Sequence, residues 1–204
     1  MAEETQTIVQ GGVGWRRFLL ALGPALGAAA VLVVLTAQGS IAASFAVSGQ
    51  NFKVSADSLE GTGFAQFGDV ATSVDDTAHP VALSVIDDAE LTNLCQSVLM
   101  ETPVGDVTLL VEAGQDGTPV TARNMVIDLE QLSGEASFSG MQIGRDASTL
   151  ENASGEAGAP GGFGMQAGTI NVTDLRLTAW SVNAGTFGLN GLQLGVKPGD
   201  HECF

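Results

Sequence analysis

Basic, histidine and cysteine side chains are scarce in this chain, and tyrosine is absent. Two His, two Cys and seven Lys plus Arg stand among 204 residues with 23 Asp plus Glu, for a formal net charge of −16. So acidic a surface repels a phosphate backbone, which excludes nucleic acid as a partner. The acidity suits solubility outside the cell, and Asp75-Asp76, Asp87-Asp88 and Gln115-Asp116-Gly117 lack the alternating oxygen spacing of a calcium loop. Only His79 and His201 could join Cys95 and Cys203 around zinc, so neither a metal nor another cofactor is expected. The G-x-S-x-G elbow of a serine hydrolase is also missing.

Long apolar runs are missing too, with one exception. Arg16 and Arg17 precede an apolar stretch from Phe18 to Ala37, and the small residues Ser40-Ile41-Ala42-Ala43-Ser44 follow. Charged, apolar and small regions in that order mark an export signal. At ~1.5 Å per helical residue the stretch also reaches across roughly 30 Å of hydrocarbon. Residues 1–43 therefore read as a signal peptide or as a retained anchor, an N-terminal apolar helix in either case. Gly23-Pro24 and Gly27 weaken that helix, and Ser40 and Ala42 hold the small positions before a cut at Ala42/Ala43, which favours cleavage. Trp15, just before the run, suits the membrane interface. A twin-arginine route does not fit, because Phe18 follows the arginines directly. Residues 44–204 have the size of a single extracytoplasmic domain.

In an oxidising compartment an even pair of cysteines in one domain most simply forms one disulfide, here Cys95 with Cys203. It would tie the C-terminal tail to the body.

Along this domain the apolar period is two, not 3.6. Phe52, Val54 and Ala56 alternate with Lys53, Ser55 and Asp57; Met125, Ile127 and Leu129 with Val126, Asp128 and Glu130; Leu192, Leu194 and Val196 with Gln193, Gly195 and Lys197. These read as half-buried strands, and only Asp87–Met100 approaches a helical stripe. The domain is expected to be all-β. A second pattern recurs in Leu91-Thr92-Asn93-Leu94, Phe138-Ser139-Gly140-Met141, Val172-Thr173-Asp174-Leu175 and Leu189-Asn190-Gly191-Leu192. The inward parity switches at each, so the strands must bulge or turn a corner there. Repeated corners suit a sandwich or β-roll, with a β-solenoid as the alternative; the uneven spacing of the four sites does not make regular rungs.

The Gly/Ala-rich stretch 147–168 has neither period and reads as a flexible surface loop whose bulky residues are Phe163 and Met165. They anchor the loop or touch an apolar ligand. Trp180 lies on the parity opposite to Leu177 and Ala179; packing under the loop is its simpler role and a ligand contact its sharper one.

The stretches 44–56, 91–98, Thr178-Ala179-Trp180, Ala184-Gly185-Thr186-Phe187 and Glu202-Cys203 resemble a family of small exported proteins from filamentous actinobacteria, of unknown function. The likeness covers essentially the whole chain. It implies a place at the membrane exterior and a small multi-pass membrane protein as partner, since the two are commonly encoded together. Relatives often carry the label cholesterol esterase. The residues give that label little support: Ser40 lies in the export segment, Ser154 in the loop and Ser48 at the start of the first strand, while His79 reads as a polar-turn residue and His201 lies beside the cysteine link. The reading is a non-enzymatic envelope protein, secreted or anchored, which binds a membrane partner, an apolar molecule or copies of itself. A sterol-ester hydrolase with an atypical site is the alternative.

Overall fold

The alternating segments form strands, several of them unusually long. The computed structural model describes Trp15 and residues 48–204; the expected signal or anchor over 1–43, with its apolar helix, lies outside the described residues. In chain order the strands are β1 Phe52–Thr72, β2 Ala78–Thr92, β3 Leu94–Thr102, β4 Gly105–Ala113, β5 Val120–Ser139, β6 Gln142–Asp146, β7 Phe163–Asn183, β8 Thr186–Gly188 and β9 Gln193–Pro198. Asp87–Met100, the one stretch with a helical look, is strand on both sides of a corner at Asn93.

All nine strands belong to one sheet, ordered β6-β7-β5-β2-β1-β3-β4-β9 with β8 beside β5, and every pairing is antiparallel. Parallel stacked rungs, the mark of a solenoid, do not occur among them. The four longest strands pair in a circuit: β1 with β2, β2 with β5, β5 with β7, and β7 with β1 again.

What lets such long strands curl is the corner pattern. The third residue of each four-residue motif sits at positive φ: Asn93 at 51°, Gly140 at 66°, Asp174 at 50° and Gly191 at 68°. Asn, Asp and Gly tolerate that region because a short polar side chain, or none, avoids the clash other residues meet there. Asn124 at 49° adds a corner outside the four motifs. Across the Asp174 corner the inward positions change from Ile170 and Val172 to Leu175 and Leu177, all buried. One core cluster consequently gathers residues from β1, β2, β3, β4, β5 and β7.

Two expectations are corrected here. The irregular stretch ends at Gly162, because Phe163 to Ala167 are strand, paired with β6 on one side and, from Gly164, with β1 on the other. Before it, a 3-10 turn at Ala147–Thr149 buries Ala147, and Leu150 follows it into a small second core with Ala65, Phe67, Leu83 and Val85 on the other face of the β1–β2 hairpin. Asp146 fastens this segment by accepting from the Ser148 amide, the Ser148 hydroxyl and the Gly161 amide, which hold its carboxyl below the usual range. Second, Leu192, Leu194 and Val196 are exposed, not half-buried, because β9 is the last strand of the sheet and no layer covers it.

Candidate functional site

The circuit of β1, β2, β5 and β7 encloses an apolar cavity of about 280 Å³. Its walls are buried side chains from all four strands, among them Leu59 and Phe64 on β1, Ile86 on β2, Ile127 and Leu129 on β5, and Val172 and Leu175 on β7. Its rim is Leu132, Ala136 and Phe138, of which Leu132 is 44% and Phe138 38% exposed. The opening has a backbone cause. Pairing of β5 with β2 ends at Leu129 opposite Ala82, and β5 then continues against β7 alone through shifts near Leu129 and Gly134. Apolar side chains on that departing half face the cavity without a strand above them. Phe138 closes part of the gap by packing on Phe64, with ring centroids 5.4 Å apart. The polar side chains of the lining are Gln66 and Ser84, cross-strand neighbours joined by a 2.6 Å bond from Gln66 Nε2 to Ser84 Oγ.

The three residues expected at a ligand are not brought together. Met165 lines the cavity, whereas Phe163 is 60% exposed at the start of β7. Trp180 lies towards the other end of that strand, packed on Ala71 and Val81 and stacked on His79 at 3.7 Å, not under residues 147–162. Bulging explains its position, since β7 carries Trp180 as an extra residue between those paired with Asp128 and Leu129.

His79 belongs to β2 rather than to a polar turn, and it meets a serine that sequence reasoning passed over. Ser73 Oγ is 3.1 Å from His79 Nε2 and 2.6 Å from Asp75 Oδ1. The residue types are those of a hydrolase, but the wiring differs. Asp75 and the Thr77 carbonyl can only accept, so the single Ser73 hydrogen goes to one of them and His79 must donate to Ser73. A histidine that donates to the serine does not take its proton. Bonds from Ser73 and Thr77 also hold the Asp75 carboxyl below its ordinary range. The group closes the β1–β2 turn, and Ser73 is 3% exposed. The Ser-x-Asp-x-Thr order of that turn was the available signal.

Cys95 and Cys203 are joined, with Cα atoms 5.9 Å apart. The tail crosses one face of β3 and β4: the Cys203 amide donates to Ser97 Oγ, Thr108 Oγ1 donates to the Gly199 carbonyl, and the His201 amide donates to Thr108 Oγ1. Ser97 and Thr108 are fully buried by it. Lys53 reaches Glu202 at 2.6 Å and lies over the Phe204 ring. The other face of β3–β4–β9 carries the paired residues Val98, Leu109 and Val196, with Val111 beside Leu194, and its cover thins towards β9, where Leu194 is 65% exposed.

Searches of curated proteins and of solved structures find no match to this chain. A family model does match, over residues 48–204, which takes in all nine strands, the cavity and both cysteines. The chain belongs to the family of unknown function DUF6230.

Proposed function

We propose that this protein is a non-enzymatic binding module of the cell envelope, exported by its N-terminal segment, which holds an apolar group in the cavity between β1, β2, β5 and β7. The observation that carries the reading is the cavity itself, walled by buried apolar side chains and left open along the half of β5 that has no partner beyond β7. Concave, mostly apolar sites with few polar groups are the usual form of small-molecule sites. We read the circuit as a β-roll with bulged corners whose interior is the site. A disulfide between β3 and the tail agrees with work in an oxidising compartment. The exposed β9 end of the β3–β4–β9 face suits a partner at the membrane exterior, a small multi-pass membrane protein or a second copy. Ester hydrolysis is less well supported, because Ser73 is wired to donate away from His79 and Ser84 is bonded to Gln66.

Octane added to methyl-labelled protein should shift the resonances of Leu132, Val172 and Leu175. Ala136→Trp, which places an indole at the exposed rim, should abolish the shifts without unfolding the domain. Unmoved methyls in the wild type, or equal shifts in the variant, would remove the reading. The same protein should leave short-chain and sterol esters intact, and turnover lost in Ser73→Ala or His79→Ala would promote the hydrolase.

A further inference from the structure

The cavity is small, mostly apolar and has one polar spot, and each property restricts its occupant. An engineered cavity of about 150 Å³ holds benzene, so by the same measure about 280 Å³ holds roughly ten heavy atoms. A fused-ring sterol skeleton is about twice that size, so it does not fit. The walls come from four strands and are aliphatic or phenyl throughout, apart from Gln66, Ser84 and the Met165 thioether.

The polar spot has a defined bonding capacity. Ser84, 2% exposed, accepts a hydrogen bond from Gln66 Nε2. Its own hydroxyl hydrogen has no acceptor among the described side-chain bonds, and neither does the Gln66 carbonyl oxygen have a donor. The Ser84 hydroxyl hydrogen and Gln66 Oε1 therefore stand side by side as a free donor and a free acceptor, beside the second Gln66 amide hydrogen, and a hydroxyl group, with one hydrogen to give and lone pairs to receive, can meet both. Neither Lys, Arg nor His lines the cavity, and the chain carries a net charge of −16. A carboxylate placed there would be desolvated without a cation to pair with.

We infer that the cavity takes a slender, neutral aliphatic alcohol, its hydroxyl donating to Gln66 Oε1 and accepting from Ser84 Oγ while its chain lies along the apolar walls. This deepens the binding reading above and rests on it. The loss of one neutral hydrogen bond typically weakens binding about three- to tenfold.

The full-length protein is titrated with 1-octanol, octane, octanoate at neutral pH and cholesterol, followed through the Leu132, Val172 and Leu175 methyl resonances. The expected order is 1-octanol tightest, octane about three- to tenfold weaker, octanoate more than tenfold weaker, and cholesterol without effect. Ser84→Ala should narrow the preference for 1-octanol over octane and leave octane unchanged; Gln66→Leu, at a half-buried position, is the second variant should Ser84→Ala fail to fold. Octane binding as tightly as 1-octanol, octanoate equal to 1-octanol, cholesterol displacing 1-octanol, or both variants leaving the preference intact would overturn the alcohol assignment while sparing the cavity. Failure of all four probes to move any methyl of the folded protein would instead overturn the binding reading itself.

Discussion

Replacing both Cys95 and Cys203 by serine should cost this domain several kcal/mol, and the size follows from where the bond lies. It joins positions 108 apart, so it closes a loop containing β4 to β9. In the chain-entropy treatment a loop of that length stabilises by about 4.8 kcal/mol at 25 °C, through restriction of the unfolded chain. Little offsets this in the native state, because other bonds keep the tail in place: Ser97 with the Cys203 amide, Thr108 with Gly199 and His201, and Lys53 with Glu202. The Lys53–Glu202 pair is partly exposed and adds little by itself. A domain of this size loses roughly 2–4 °C of Tm per kcal/mol, so the double variant should melt roughly 10–20 °C below the oxidised wild type. Calorimetry or circular dichroism at equal concentration measures the shift, and reduced wild type should coincide with the variant. A drop under about 3 °C, or free thiols in the unreduced protein, would refute the reasoning.

Other positions test the packing and the site's surroundings. Gly134 has φ +150°, and an added Cβ would lie 2.8 Å from Val172 Cγ1 and 2.9 Å from the Thr173 carbonyl oxygen, so Gly134→Ala should destabilise by about 1–3 kcal/mol in urea unfolding; a neutral result would mean that the β5–β7 bulge is adaptable. Leu194→Lys, on the exposed stripe of β9, should change stability by less than about 0.5 kcal/mol and reduce any self-association seen by sedimentation; a large loss would show that the stripe is covered. The folded-state pKa of Asp146 is depressed by its bonds to Ser148 and Gly161, so its contribution is present above the unfolded carboxylate pKa and is lost as pH falls through the lower folded value. Amide exchange at Ser148 and Gly161, corrected for intrinsic rates, should therefore accelerate in acid, and Asp146→Asn should show the same acceleration at neutral pH.

Much of the local structure was legible. Alternation marked Phe52–Ala56 and Met125–Leu129 as strands, and the four-residue motifs marked corners that fall at Asn93, Gly140, Asp174 and Gly191. Both signals are local: a strand repeats every two side chains, and positive φ selects Asn, Asp or Gly at one residue. The cysteine pairing followed from there being two. Leu192, Leu194 and Val196 alternate as well as any buried strand yet are exposed, because alternation says which residues share a face and not whether another layer covers it. Residues 147–162 show no period, although Ala147 and Leu150 pack against Phe67.

Composition, period and motif thus determined an acidic all-β domain with bent strands. Only the tertiary structure decided which strands pair, since partners are chosen by burial between residues far apart in the chain. That choice closes β1, β2, β5 and β7 into a circuit, turns β5 away from β2 after Leu129, and leaves the cavity open. It also seats His79 on Trp180 and against Ser73, a contact that depends on the bulge in β7 at Trp180 and is absent from any linear pattern.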